Sequence, residues 1–442
     1  MDETTIGLIT LTLPTERMDL AEKWDKLAFA KLSDSGLAVL HHEKLVTTTE
    51  DAINASKNLE SNGAQCLVYL LGTWIHATQI LQAVKQVSLP FIIWSIPDPA
   101  TFSLTGGGVT HGSLDEIGIE HRFVYGSPNS PAVIREIISY ARAAMVVHAL
   151  MGAKMGNIGG ITMGMYTSMV DYGQVIDIFG VEIEHMDQYQ WVLEAAKVPK
   201  KDVDATYTWL RQEFGKIFAP EEIVRKSIRL YLGLKTLVKD RNYKLISIKG
   251  QPEIIDNYTS ACLAVALIND DEIPCACEGD LNAALTMYIL SLLANQPALF
   301  ADVNFIDTEK NMLRAVNCGA MATMLAKSRK NVDWGHQYEV MGKGRGMTTI
   351  FCCRPGEVTL ARLSRVKGRY VMLITTGIAF EQPKEVFKEA VDIWPHAFIK
   401  LDGDSNRFLE NCRSNHIHMV YGNFKGDLIA ICKILGIEPI II

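Results

Sequence analysis

The feature that most constrains this chain is a regular alternation of apolar runs with helix-like segments over the first 150 residues. Four short apolar runs are typical of buried strands: 6–13, 37–40, 65–71 and 90–94. The segments between them carry apolar residues at helical spacing, and a further strand (123–125) and helix (132–149) follow. Strands that alternate with helices form a parallel sheet covered on both faces, so we expect an α/β unit here.

The alternation resumes near residue 154 and continues to a strand at 300–306. Beyond residue 330, strand-like segments follow one another across short Gly/Pro turns, and the last 26 residues return to strand–helix–strand. This pattern favours an antiparallel sheet or small barrel. We therefore predict an α/β protein with two Rossmann-like parallel-sheet domains, at 1–150 and 151–330, and a β-rich C-terminal domain at 331–442 that contains a small antiparallel barrel.

The composition excludes several classes of protein. With 442 residues, 48% hydrophobic and 21% charged, the chain is neither disordered, collagen-like nor a coiled coil. Its 43 basic and 50 acidic residues give a net charge of −7 without long runs of one sign, so we expect no nucleic-acid partner and no membrane partner. The charge-free stretch 281–301 is interrupted by Asn295-Gln296-Pro297, which favours a buried helix and a turn over a membrane span.

Cysteine usage and the N-terminus bear on the compartment. Nine scattered cysteines without a CxxC pair indicate reduced thiols that pack as small apolar residues. The N-terminal segment MDETTIGLITLTLP has acidic residues where a signal peptide has basic ones. We therefore expect a cytoplasmic protein, and a metabolic enzyme or a binding protein remains.

Two glycine-rich segments carry weak signals. Gly106-Gly107-Gly108 lacks the strand and helix context of a phosphate-binding motif, so we predict a flexible loop rather than a phosphate cradle. The segment 342–346 is also predicted to be a flexible break. Its Lys343 and Arg345 are candidates to hold an anionic group, and a mobile solvated loop is the alternative.

Three positions point to metal chemistry. Glu278 ends a strand-like segment just before a helix, Asp302 lies in an apolar strand, and His416 begins another strand. A carboxylate in an apolar strand is costly without a cation, and a divalent metal would offset that cost. Two carboxylates and one imidazole suit Mn²⁺ or a related cation. Separate salt bridges and helix caps are the alternative, and Asp280 is predicted only as the N-terminal cap of the helix 280–294.

The chain resembles the L-fucose isomerase and L-arabinose isomerase superfamily. The resemblance depends on the segment ACEGDLNAALT at 276–286, on Asp302, and on Ser414-Asn415-His416 with Val420-Tyr421-Gly422 behind it. Gly164-Met165-Tyr166 is a weaker match. The resemblance implies that Glu278, Asp302 and His416 bind Mn²⁺. It departs at Asn317-Cys318-Gly319, where relatives often carry His-Cys-Gly, and this departure indicates a divergent sugar specificity.

The reaction that the resemblance implies is the interconversion of an aldose and a ketose through an enediolate. Glu278 and Asp302 would share the proton transfers, and Asn415 would contact a sugar hydroxyl. Trp74 is implied to reach a neighbouring subunit's site, with a core tryptophan as the alternative. Arg17 is implied to bind sugar, with a solvated arginine as the alternative.

The partners expected from the resemblance are a small sugar and further copies of the chain. The homo-oligomer, a hexamer or a trimer, would share its active sites between subunits through Trp74 and the region around His76. L-fucose, a pentose and an anionic sulfosugar all remain open as substrates. The competing functions are a sugar-binding protein and a sugar sensor that keeps the isomerase fold without turnover.

Overall fold

The computed structural model describes residues 4–161, 164–337 and 346–442. The chain folds into two compact units. Unit 1 is Met1–Ala149 with Gly426–Gly436, and unit 2 is Leu150–Lys425 with Ile437–Ile442. The predicted domain boundaries at residues 150 and 330 stay a prediction.

Unit 1 is built on a five-stranded parallel sheet in the order β2-β1-β3-β4-β5. Its strands are β1 (Thr5–Leu11), β2 (Ala38–Val46), β3 (Cys66–Leu71), β4 (Phe91–Ser95) and β5 (Arg122–Tyr125). Its helices are α1 (Met18–Ser33), α2 (Thr49–Ser61), α3 (Thr78–Val84), α4 (Ser103–Glu116), α5 (Pro131–Leu150) and, from the end of the chain, α14 (Lys425–Ile434). The predicted α/β unit is therefore confirmed.

Strand β1 shows why this sheet is covered on both faces. Ile6 and Leu8 pack into one hydrophobic cluster, and Ile9 and Leu11 pack into another. Successive side chains of a strand point to opposite faces, so a strand with apolar residues on both faces needs helices on both sides of its sheet.

The prediction of a flexible loop at the three glycines is wrong. Gly106, Gly107 and Gly108 lie inside α4. A Cβ on Gly106 would stand 3.1 Å from the backbone nitrogen of Ile75, and one on Gly107 would collide with the Ser95 hydroxyl on β4. Gly106 and Gly107 therefore allow α4 to pack closely on its neighbours, and this gain outweighs their low helix propensity, whereas a side chain at Gly108 would meet open space.

Unit 2 begins with a four-stranded parallel sheet in the order β7-β6-β8-β9. Its strands are β6 (Lys154–Ile158), β7 (Glu182–Met186), β8 (Leu245–Ile248) and β9 (Cys275–Ala276). Its helices are α6 (Tyr172–Phe179), α7 (Gln188–Lys197), α8 (Lys200–Glu213), α9 (Glu221–Arg241), α10 (Glu253–Asn257), α11 (Cys262–Asp270) and α12 (Leu281–Ala294). The charge-free stretch forms α12, which is buried along most of its length and ends at Asn295 with a positive φ, as predicted.

The rest of unit 2 contains a barrel. Its six strands pair antiparallel in the closed ring β14-β17-β10-β11-β16-β15-β14, and β18 adds in parallel to β15. The strands are β10 (Leu299–Asp307), β11 (Met312–Val316), β14 (Gly356–Val366), β15 (Arg369–Phe380), β16 (His396–Leu401), β17 (His416–Tyr421) and β18 (Glu438–Ile441). The predicted small barrel is present, but two of its six strands, β10 and β11, lie before the predicted start of the β-rich domain at residue 331. The strand predicted at 300–306 therefore joins the antiparallel ring and not the central parallel sheet, and β11 and β16 were not predicted as strands.

The remaining elements of unit 2 are short. A hairpin pairs β12 (Asp333–Gln337) with β13 (Gly346–Ile350), and the helix α13 (Ser405–Asn411) precedes β17. The predicted break at 342–346 lies outside the described residues except for Gly346. None of the helices in the described ranges has the length and apolar character needed to cross a membrane.

Candidate metal and catalytic centre

The backbone turns sharply at Glu278, between β9 and α12. Glu278 and Gly279 have φ values of +64° and +69°, and the Gly279 N–H donates to the Ile248 carbonyl at 2.8 Å. A left-handed conformation at a non-glycine residue costs of order 1–3 kcal/mol, and such strain is typical of functional sites. The turn leads directly into Asp280, whose carboxylate accepts from the Ala283 N–H at 2.8 Å and caps α12, as predicted.

Barrel register brings the other two predicted ligands together. Asp302 on β10 and His416 on β17 are direct cross-strand partners in an antiparallel pair. Such partners have Cβ atoms about 4.5–5.5 Å apart, so their side chains meet when they point to the same face. The His416 Nε2 lies 3.6 Å from an Asp302 oxygen.

Glu278 joins this pair. Its Oε2 lies 3.2 Å from the His416 Nε2, and one ligand atom from each of the three residues lies within 4.8 Å of the others. His416 and Glu278 are buried, whereas the Asp302 side chain is 38% exposed. The potential metal ligands are therefore shielded from solvent at Glu278 and His416 and accessible at Asp302.

The electrostatics of the two carboxylates suit a cation. Burial, together with nearby Cys318, raises the pKa of Glu278 against the influence of His416. Burial also raises the pKa of Asp302, and the Glu278 carboxylate adds to the effect while His416 opposes it. A divalent cation between the carboxylates would compensate both charges, so this donor set fits a metal ion.

Asp280 orients the imidazole of His416. The His416 Nδ1 lies 2.7 Å from an Asp280 oxygen. Burial and the hydrogen bonds of the ring change the pKa of His416 in opposite directions. Burial favours the neutral ring, but hydrogen bonds to Asp280 and Glu278 outweigh it and raise the pKa of His416 to about 9. Since a ligating imidazole must be free of a proton at the ligating nitrogen, a metal would take the place of the Nε2 proton, and the Nδ1 would keep its proton and donate it to Asp280.

Arg362 on β14 completes this arrangement. It is fully buried and pairs with Asp280 at 2.8 Å, and it also donates to the Thr167 carbonyl at 3.3 Å. Burial would raise the pKa of Asp280, but Arg362 and His416 outweigh burial and hold that pKa well below its usual range. Asp280 therefore stays ionised beside the imidazole that it orients.

The sequence did not predict the roles of two of these residues in the site. Asp280 was predicted only as a helix cap, and Arg362 was not singled out. The signal for Arg362 was present, because an arginine inside the apolar strand Gly356–Val366 raises the same question of a buried counter-charge as Asp302 does.

Asn415 and Met165 lie next to the open side of the cluster. The Asn415 amide donates to an Asp302 oxygen at 2.9 Å and lies 3.6 Å from the Met165 sulfur. Asn415 is exposed, so its amide stands beside the carboxylate at the site's solvent-facing edge.

Asn317, the position at which the sequence departs from the resemblance, is bound to the backbone. Its buried amide donates to the Phe300 carbonyl at 2.9 Å and accepts from the Ala320 N–H. The neighbouring Cys318 contacts the cluster, with its sulfur 3.5 Å from a Glu278 oxygen. Asn317 therefore has a structural role, and it directly precedes the cysteine that contacts Glu278.

The other predicted sugar contacts belong to unit 1. Trp74 is half-buried, and its backbone N–H donates to the Thr101 carbonyl at 2.8 Å, while His76 is exposed. Arg17 forms an exposed two-point ion pair with Asp19, at 2.8 and 2.6 Å. Lys343 and Arg345 lie outside the described residues. The roles of all these residues stay predictions.

Comparison with known proteins gives consistent matches. Residues 315–442 match the family model described as "L-fucose isomerase, C-terminal domain". A sulfoquinovose isomerase of Clostridium sp. (strain MSTE9) is 26% identical over 99% of both chains. One from Alkalicoccus urumqiensis is 26% identical over 78% of this chain and 79% of its own, and one from Priestia megaterium (strain ATCC 12872 / QMB1551) is 23% identical over 99% of both.

Among solved structures, a periplasmic solute-binding protein of an ABC transporter from Actinobacillus succinogenes 130z, with bound D-allose, matches 66% of this chain and 92% of its own. It is 14% identical, and its TM-score of 0.18 is too low to support a shared fold.

Proposed function

We propose that this chain, an L-fucose isomerase-like enzyme that interconverts an aldose with a ketose, acts on a sulfonated sugar and uses a divalent metal held by Glu278, Asp302 and His416. The observation that carries the proposed mechanism is the meeting of these three side chains around the His416 Nε2. The sulfonated substrate is supported by the curated relatives, which match nearly the full chain.

The reaction moves a proton between C1 and C2 of the sugar. The barrier is the weak acidity of a carbon-bound hydrogen next to a carbonyl, so the site needs a base, an acid and a means of stabilising negative charge. A bound divalent cation would supply that stabilisation for the two sugar oxygens of the enediolate. Glu278 and Asp302 are the carboxylates available to take and return the proton.

The surroundings of the two carboxylates suit this work. Burial raises the pKa of Glu278, so its carboxyl holds a proton more readily than a solvated glutamate does. Asp302 faces the open side, where the Asn415 amide donates to it and can also meet a sugar hydroxyl. Asp280 and Arg362 keep the imidazole oriented without touching the sugar.

Removal of metal is expected to abolish activity. Treatment with EDTA should eliminate ketose formation, and Mn²⁺ should restore it better than Ca²⁺, because three protein ligands leave positions that suit a small six-coordinate ion. Turnover before and after chelation, with each metal added back, measures this. Full activity in thoroughly metal-free enzyme would contradict the mechanism.

The substrate class is tested by comparing sulfoquinovose with L-fucose and L-arabinose in the presence of Mn²⁺. We expect the highest kcat/KM with the sulfosugar, and its KM should climb with ionic strength because salt screens the pairing of the sulfonate with a cation. Arg17, Lys343 and Arg345 are the candidate cations. A neutral sugar serves as the control, since its KM should not depend on salt.

Two outcomes would contradict the proposed substrate and reaction. A KM for sulfoquinovose that does not change with ionic strength would indicate a neutral sugar as the substrate. Tight binding of sugars without any ketose formation, with Mn²⁺ present, would favour the alternative of a sugar-binding or sensing protein.

The homo-oligomer and the cytoplasmic location belong to the same proposal. In the proposed hexamer or trimer, Trp74 and His76 of one subunit reach the site of its neighbour, and closed symmetry lets every subunit both give and receive these residues. The half-buried indole of Trp74 and the exposed ring of His76 are compatible with that role.

A further inference from the structure

A second group of potential metal ligands lies in unit 1. His111 and Asp115 are one turn apart on α4, and His121 directly precedes β5. The chain reverses between them at Gly118, which has a φ of +69°, and the Ile119 N–H donates back to the Leu114 carbonyl at 3.0 Å. This reversal brings His121 beside the last turn of α4.

The three side chains converge at short distances. The His111 Nδ1 lies 2.7 Å from the His121 Nε2, and the His111 Nε2 lies 3.6 Å from an Asp115 oxygen. One donor atom from each residue lies within 4.8 Å of the others, as in the cluster around Glu278.

The hydrogen bonding of His121 presents a lone pair to this group. Its Nδ1 lies 2.8 Å from the Ile119 carbonyl, so that nitrogen carries the hydrogen, and the Nε2 of the neutral ring is left as an acceptor. The ring is almost completely buried, and burial lowers the pKa of His121, which favours the neutral form. A backbone carbonyl that accepts from one ring nitrogen and leaves the other without a hydrogen is the usual support for a ligating histidine.

Aromatic packing holds both rings in place. His111 stacks on Phe123 with centroids 5.1 Å apart and planes 5° from parallel, and His121 stacks on Phe91 at 5.9 Å and 12°. Rings held in this way keep their nitrogens aimed at one another without further ordering of the side chains.

We propose that His111, Asp115 and His121 form a second cation site, which takes a divalent transition metal of the class of Zn²⁺. Two imidazoles and one carboxylate favour such a cation, whereas the oxygen-rich set around Glu278 favours a harder one. The ion takes the place of the hydrogen that lies between the two imidazoles, and that hydrogen moves to the His111 Nε2, so both rings bind as neutral ligands. The exposed sides of His111 and Asp115, 42% and 63%, let the ion enter and leave room for water ligands.

The positive charge of Lys433, which contacts the His121 backbone, is already compensated. Lys433 on α14 donates to the His121 carbonyl at 3.2 Å and pairs with Glu120 at 3.0 Å. A cation here would link the end of α4 to the start of β5, and its binding would stabilise unit 1 by mass action. None of the three residues belongs to the cluster around Glu278.

The test compares Zn²⁺ binding to the full-length protein with binding to His111→Ala and Asp115→Asn, each first stripped with chelator. Equilibrium dialysis with metal analysis should show that each variant binds one Zn²⁺ fewer per chain than wild type, or binds it at least about tenfold more weakly. His148→Ala, an exposed histidine on α5, is the matched control and should bind as wild type does.

Mn²⁺-dependent isomerase activity separates this proposal from the proposed function. Both variants should keep that activity within about twofold, since neither residue lies in the cluster around Glu278. Asp115→Asn is nearly isosteric and exposed, so it keeps the test decisive if His111→Ala fails to fold. Zn²⁺ binding that is the same in wild type and Asp115→Asn, in number and affinity, would overturn the proposal.

Discussion

Glu278→Gln is expected to abolish turnover while the protein stays folded. The variant loses a group that transfers a proton, which alone costs about 10²–10⁴-fold in rate, and it also loses a charged metal ligand. Glutamine has nearly the same shape, and Glu278 is buried against Cys318 and His416, so the packing around it should persist. Ketose formation measures the first effect, and circular dichroism with thermal unfolding checks the fold.

The matched control is Glu309→Gln, an exposed glutamate just after β10. It removes the same charge from the same unit at a position outside the cluster, so its activity should stay at the wild-type level. Activity of Glu278→Gln within a few-fold of wild type would remove Glu278 from the proposed mechanism.

Arg362→Met is expected to produce the largest loss of stability. The side chain of Arg362 is fully buried, and its removal leaves the fully buried Asp280 carboxylate with His416 as its remaining charge partner. Removing one partner of a buried ion pair costs about 3–5 kcal/mol, because the remaining charge loses much of its compensation. Equilibrium unfolding in denaturant measures the change in the free energy of unfolding.

A double variant separates the charge effect from packing. Arg362→Met combined with Asp280→Asn removes both charges, so it should recover much of the lost stability. Its activity should remain low, because His416 then lacks the carboxylate that orients its ring. Arg365→Met, on the same strand but partly exposed, is the control and should change stability by about 1 kcal/mol or less. Wild-type stability in Arg362→Met would show that the pair is not a compensated buried charge.

Local pattern predicted the elements that carry the site. The apolar run and flanking residues around α12 predicted a buried helix with Asp280 as its cap, and the structure has both. Positions at strand ends and a carboxylate within an apolar strand indicated Glu278, Asp302 and His416 as site residues, and the structure brings these side chains together. Such predictions succeed because caps, periodicity and the cost of a buried charge depend on residues a few positions apart.

The failures came where packing overrides local preference. Three consecutive glycines favour a loop by propensity, yet they lie in α4, where Gly106 and Gly107 let the helix approach Ile75 and β4 closely. The barrel strands β11 and β16 were missed, and β11 contains the buried Arg314, which pairs with Glu389 from a distant segment. Local sequence did not reveal that partner.

The sequence by itself determined the fold class, most of the strands and helices, and the residue types that can hold a metal. The tertiary structure alone decided the closure of the six-stranded ring, the pairing of Asp302 with His416, and the meeting of Arg362, Asp280 and His416. The physical reason is range. Propensities and caps act within one or two turns, whereas strand register between residues more than a hundred positions apart is set by the packing of the whole barrel.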